Sequence, residues 1–309
     1  MIKPKPLKLG DTIGIIAPAS PTTKEKVDMV YSTLTNMGFK VKMGKSPDLR
    51  YGYLSGTDEI RANDINEMFK DKEVNAIICI RGGYGTPRLL DLIDYDIIRE
   101  NPKIFVGYSD ITALHIAFTQ IAGLVTYHGP MAASDVIGDF DDFTKDSLFN
   151  IIMGKDWDGK IINPQGEEIT TINGGIAEGT IIGGNLSLIS NTMGTPYEID
   201  VRGKILFIEE IGEEPYKIDR MLKQLKLSGK LDQANAIILG DFNNCEKGKH
   251  DENLSLAQIF EEHIKPAGKP TIYNLQAGHC SPMVTLPFGV KARLDGDKKE
   301  LTILESSTK

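Results

Sequence analysis

Short apolar runs separated by amphipathic segments constrain this chain more than any other feature of its sequence. Thr12–Ala17 (TIGIIA), Phe39–Met43, Ala76–Ile80 (AIICI), Ile104–Val106 and Leu124–Tyr127 are short and rich in Ile or Val, so they read as buried strands. Between them, Lys24–Asn36 sets Val27, Val30, Tyr31 and Leu34 at helical spacing, Asp58–Phe69 repeats the pattern, and Asp110–Ile121 follows the fourth strand. Strand alternating with helix predicts a parallel sheet with crossovers, a Rossmann-like α/β domain.

From about Trp157 to Gly179 that rhythm gives way to Gly, Asn, Pro and Thr, as expected of a connection between domains. With 309 residues the chain suits two domains. The expected division is 1–156 for the first, 157–179 for the connection and 180–309 for the second. The second half resumes with a strand at Lys204–Glu209, a helix from Pro215 through Leu227, a strand at Ala236–Leu239 and a helix over Leu254–His263. Pro215 suits the first helical turn, where its missing N–H costs nothing. Val290–Leu294 and Glu300–Leu304 read as a hairpin that completes a small barrel-like β region of a second α/β domain.

A formal net charge of −8 leaves no electrostatic footprint for nucleic acid or an anionic membrane. A ligand bearing carboxylates would need local cations against that field, and Arg81, Arg88 and Arg202 are the candidates. The N-terminal stretch has two prolines and no apolar run long enough for a signal-peptide core, and no segment approaches a membrane span. Three cysteines, far apart and odd in number, fit a reducing compartment. A cytoplasmic location is expected.

Ser109 follows the strand Ile104–Val106 within Gly107-Tyr108-Ser109-Asp110 and precedes a helix. A serine on such a turn exposes its hydroxyl beside N–H groups at the positive end of a helix, which is a nucleophile's position. Ile111 stands where a G-x-S-x-G pattern requires glycine, and Ser109 could instead simply cap the helix. A serine nucleophile needs a base, most often a histidine oriented by a carboxylate. Of five histidines, His250 and His263 read as surface residues and His115 as packing. His128, after a strand, competes with His279, which lies in the small-residue loop Ala277–Pro282. Glu209 and Glu210 end the most hydrophobic strand of the second half, either as a site carboxylate or as an exposed acidic strand end. Alternation along a strand lets only one of them serve a histidine.

Arg81-Gly82-Gly83-Tyr84-Gly85 supplies backbone free of side chains for stabilising an oxyanion, or merely makes a tight turn. No G-x-G-x-x-G, P-loop, H-E-x-x-H or paired Cys spacing is present, so nucleotide, dehydrogenase and metal readings lack support. A non-catalytic two-domain binding protein for cell-wall peptides would share the same length and pattern.

Arg81–Gly85, Gly107–Asp110, His128-Gly129-Pro130-Met131, Gly183-Gly184-Asn185-Leu186, Phe207–Glu210 with Pro215–Arg220, and Gly278-His279 together resemble the L,D-carboxypeptidase family of serine peptidases, over Leu9 to Leu304. The resemblance implies a triad of Ser109, Glu209 and His279, with Glu209 preferred over Glu210. It also implies an oxyanion hole from the backbone N–H groups of Asp110 and Gly83, no cofactor, and a homodimer. The expected reaction is release of the terminal D-alanine from murein tetrapeptide during cell-wall recycling. One branch of the family cleaves a peptide-nucleotide antibiotic and stacks the nucleotide on an aromatic residue. The only tryptophan here, Trp157, falls in the expected connection.

Overall fold

A computed structural model describes residues 1–138, 140–155, 158–246 and 253–309. Trp157 and His250 lie outside the described residues. The strands, in chain order, are β1 (Thr12–Ile16), β2 (Lys40–Met43), β3 (Val74–Cys79), β4 (Ile104–Gly107), β5 (Thr126–His128), β6 (Lys160–Ile161) and β7 (Thr170–Asn173). They continue with β8 (Ile176–Asn185), β9 (Lys204–Ile211), β10 (Ala236–Asn243), β11 (Thr271–Tyr273), β12 (Leu286–Phe288), β13 (Lys291–Asp295) and β14 (Glu300–Ile303).

Two compact units result: Met1–Asp156 with Thr285–Gly289 and Ser306–Lys309, and Trp157–Val284 with Val290–Glu305. The first unit carries a six-stranded sheet in the order β12-β5-β4-β3-β1-β2. Every pairing is parallel except that of β12 with β5. The strands are lined by Ile13, Ile15, Ile77, Phe105 and Val106, each buried to within 1% exposure, so the apolar runs find the two-sided burial a parallel sheet demands. The helix Lys24–Asn36 turns Val27, Val30 and Leu34 inward, and Thr23 caps it by accepting from the Lys26 N–H. Strand order 2-1-3-4-5 reverses between β1 and β3, the place where open α/β sheets bind ligands beyond the carboxyl ends of their strands.

The second unit holds an eight-stranded mixed sheet, β6-β14-β13-β8-β9-β10-β11-β7, curled into a half-barrel. Strands β8 to β11 are parallel at its centre, and β13 and β7 pair antiparallel at either side. The helix Pro215–Leu227 begins with proline in its first turn as expected, and Leu256–His263 starts with a capping box of Ser255 and Gln258.

Three expectations are corrected. Residues of the expected connection form β6, β7 and the first four residues of β8, where exposed and half-exposed Thr, Asn, Glu and Gly positions carry no apolar signature. The segment after β4 is not one helix: Ser109–Ile111 is a 3₁₀ turn, Thr112–Ala117 is α and Phe118–Ala122 is π. His263 is not a surface residue but 7% exposed, with its Nε2 2.5 Å from Asp219 Oδ1 on the neighbouring helix. No helix among the described residues is long and apolar enough to cross a membrane.

Candidate active site

In the first unit, the site is built where β4 stops. Ser109 has φ 64°, a left-handed conformation that costs a non-glycine residue on the order of 1 kcal/mol or more and persists only where surroundings enforce it. The residue preceding the 3₁₀ turn is Tyr108, whose side chain makes no capping bond, so Ser109 does not serve as the cap. The enforcement comes from both sides of the turn. Asp110 is buried, its carboxylate accepts from the Thr86 N–H at 2.8 Å, and the Thr86 hydroxyl donates to the Asp110 carbonyl. Burial, partly offset by the Thr86 bonds, holds the Asp110 carboxyl above its usual range.

The glycine loop after β3 closes on the same turn. A Cβ at Gly82 would lie 3.0 Å from Ser109 Cβ and 3.2 Å from its Oγ, so only glycine lets the loop approach this closely. Ser20, from the loop after β1, donates its N–H to the Gly82 carbonyl and accepts from the Tyr84 N–H at 3.2 Å. Arg61, fully buried, donates to the carbonyls of Pro18 and Gly85 and pairs with Asp58, tying the loops after β1 and β3 together. Arg61 and Ser20 carried no sequence signal of this role, because the carbonyls and N–H groups they bond in the loops after β1 and β3 lie far along the chain.

His115 and His128 are fully buried in the first unit, in ring contact with each other and with Phe288 of β12. His115 Nε2 lies 2.8 Å from the Gly107 carbonyl, two residues before Ser109. Burial pulls the His115 pKa down from 6.5 to about 4. Its unfolded form therefore binds the proton first, so stability is full above pH 6.5 and is lost as pH falls through 6.5 toward 4, by about 3 kcal/mol over the window. Thermal melts between pH 7 and pH 4 should show this slope, and His115→Gln, which keeps an N–H donor, should flatten it; an unchanged slope would remove His115 as its source.

In the second unit, the site sits at the carboxyl ends of the central parallel strands. Glu209 and Glu210 are 0% and 2% exposed, so the exposed acidic strand end is excluded. The strand turns them to opposite faces. Glu209 Oε2 lies 2.6 Å from His279 Nδ1. Glu210 instead accepts from Asn185 Nδ2 at 2.8 Å, the Ser187 N–H at 2.8 Å and the Ser187 hydroxyl at 2.7 Å, and burial raises its pKa. The histidine's carboxylate partner is thus Glu209.

A Cβ at Gly278 would come within 2.6 Å of Glu209 Oε2, so a side chain there would wedge the pair apart. Asn243 Nδ2 donates to the His279 carbonyl at 2.7 Å, and the Asp241 N–H to that of Ala277 at 3.2 Å, which anchors the histidine loop to the end of β10. Asp241 is also half-buried, and burial raises its pKa. With Nδ1 directed at a buried carboxylate, Nε2 is the His279 ring nitrogen that can act on a substrate or nucleophile.

The candidate cations separate clearly. Arg88 forks onto Asp58 through Nε and Nη2 at 2.7 to 3.0 Å, and Arg202 onto Asp200 at 2.8 and 3.1 Å. Arg81 donates Nη1 to the Pro21 carbonyl at 3.2 Å and, among the described residues, pairs with no carboxylate. No cluster of three or more His, Cys, Asp or Glu side chains among the described residues could hold a metal ion.

Family models for the N-terminal and C-terminal domains of LD-carboxypeptidase match residues 13–129 and 178–294. The chain belongs to the S66 family of peptidases. It is therefore a serine-type hydrolase, and Ser109 falls within the first matched domain, Glu209 and His279 within the second. A probable murein peptide carboxypeptidase of Bacillus subtilis is 47% identical, with 97% of this chain and 94% of that protein covered. The murein tetrapeptide carboxypeptidase of Pseudomonas aeruginosa is 30% identical, with 93% and 94% covered. Among solved structures, the microcin C7 self-immunity protein MccF, in complex with aspartyl sulfamoyl adenosine, is similar with a TM-score of 0.90 at 29% identity, both chains fully covered.

Proposed function

We propose that this peptidase is a murein tetrapeptide L,D-carboxypeptidase working through Ser109, His279 and Glu209. The observation that carries the mechanism is the 2.6 Å bond between His279 Nδ1 and Glu209 Oε2, which presets the tautomer whose Nε2 can take a serine proton. Ser109 Oγ attacks the carbonyl preceding the terminal D-alanine while His279 removes its proton. The N–H groups of Asp110 and Gly83 receive the developing oxyanion. His279 then protonates the leaving amine of D-alanine, and water, deprotonated by His279, releases the shortened peptide from the acyl-enzyme. The relatives from Bacillus and Pseudomonas support this substrate class.

Three cysteines free of disulfides suit a reducing cytoplasm, where murein fragments are recycled, and the family resemblance adds a homodimer. A second reading, cleavage of a peptide-nucleotide antibiotic, is favoured by the likeness to the self-immunity protein.

The test is mass spectrometry of murein tetrapeptide incubated with the purified protein, with and without a chelator. Loss of one alanine, chelator or not, is the expected result. An intact tetrapeptide alongside a cleaved peptidyl-nucleotide would transfer the assignment to the second reading.

A further inference from the structure

A carboxypeptidase differs from an endopeptidase in requiring the charged end of its substrate, and a cation near the nucleophile is one group that meets such a carboxylate. In a chain of net charge −8 this must be a specific side chain rather than a diffuse field. We propose that Arg81 is this group, the residue that recognises the terminal carboxylate of the substrate; the assignment rests on the carboxypeptidase reading above.

Three observations within the first unit carry it. Arg81 immediately precedes Gly82, where a Cβ would stand 3.0 Å from Ser109 Cβ and 3.2 Å from its Oγ. Adjacent Cα atoms are only about 3.8 Å apart, so Arg81 is anchored in the shell around the nucleophile. Second, its Nη1 donates to the Pro21 carbonyl, which draws the guanidinium across from the loop after β3 to the loop after β1. Those loops flank the point where the strand order reverses, the ligand-binding position of this sheet type. Third, its charge is uncommitted. Arg88 and Arg202 are each held by an aspartate fork, and Arg61 is buried between backbone carbonyls and Asp58. Arg81 is half-buried and meets no carboxylate among the described residues, while a guanidinium has five N–H donors in a planar fork that matches a carboxylate. The bond to Pro21 would then fix the plane of that fork ahead of binding.

The experiment compares kcat/KM for a peptide ending in free D-alanine with that for the same peptide ending in D-alaninamide, in wild type, Arg81→Met and Arg81→Lys. A charge-assisted contact of about 1.5–3 kcal/mol corresponds to a preference of roughly 10- to 150-fold for the free acid. Wild type should show it, Arg81→Met should reduce it to near unity, chiefly through KM on the acid, and Arg81→Lys should restore part. Because each ratio is taken within one variant, the folded fraction cancels. Arg81→Met discriminating as strongly as wild type would overturn the assignment while leaving the carboxypeptidase reading in place, and wild type cutting acid and amide alike would count against both. Wild type cutting neither peptide overturns both.

Discussion

Ser109→Ala should lower kcat by about 10⁶-fold, because in serine hydrolases removal of the nucleophile abolishes the covalent route and leaves only binding and oxyanion stabilisation. The fold should survive, since alanine retains the Cβ that packs against Gly82 and occupies the same backbone. Ser109→Gly separates chemistry from strain. At φ 64° glycine relieves a conformation that serine adopts at a cost, so this variant should be as inactive as alanine yet gain about 1 kcal/mol, read as a higher apparent melting temperature. If Ser109→Ala turned over the tetrapeptide at the wild-type rate, Ser109 would not be the nucleophile. If Ser109→Gly melted below wild type, the backbone there would not be storing strain.

How far the sequence could be read follows from where each signal resides. Strands β1, β3 and β4 were legible because a strand buried on both faces is written as a near-continuous apolar run rich in Ile and Val. β7 and the first half of β8 were not, because their half-exposed faces admit Thr, Asn, Glu and Gly, the vocabulary of a loop. The pairing of β12 with β5, Leu286 opposite His128, joins residues far apart in sequence and has no local trace at all.

The site divides in the same way. The turn at Ser109 and the opposed faces of Glu209 and Glu210 were local and could be anticipated. That the second of these faces Asn185 and Ser187, that Gly278 exists to admit Glu209, and that His263 is occupied by Asp219 depended on neighbours brought in by the tertiary fold. Arg81 lies between: the sequence could nominate it only alongside Arg88 and Arg202, and the aspartates that engage the other two had to be seen in place.

The carboxylate pair at the end of β9 offers the sharpest internal control on the mechanism. In Glu209→Gln an amide donor replaces the acceptor facing His279 Nδ1, which drives the ring proton to Nε2, the atom that must receive the proton of Ser109. The analogous carboxylate-to-amide change in a serine protease triad costs about 10⁴-fold in kcat with geometry intact, and a loss of that order with little change in KM is expected here. Glu210→Gln is the matched comparison: one residue away, equally buried, but bonded to Asn185 and Ser187. Removing its charge weakens bonds that hold the start of the helix Leu186–Asn191, a stability effect of about 1–2 kcal/mol, with kcat changed only a few-fold. Steady-state kinetics and thermal melts on the two variants therefore have to diverge, one losing rate and the other stability. Equal losses of rate would mean that the buried charge of the pair, rather than the tautomer Glu209 imposes on His279, is what the reaction needs.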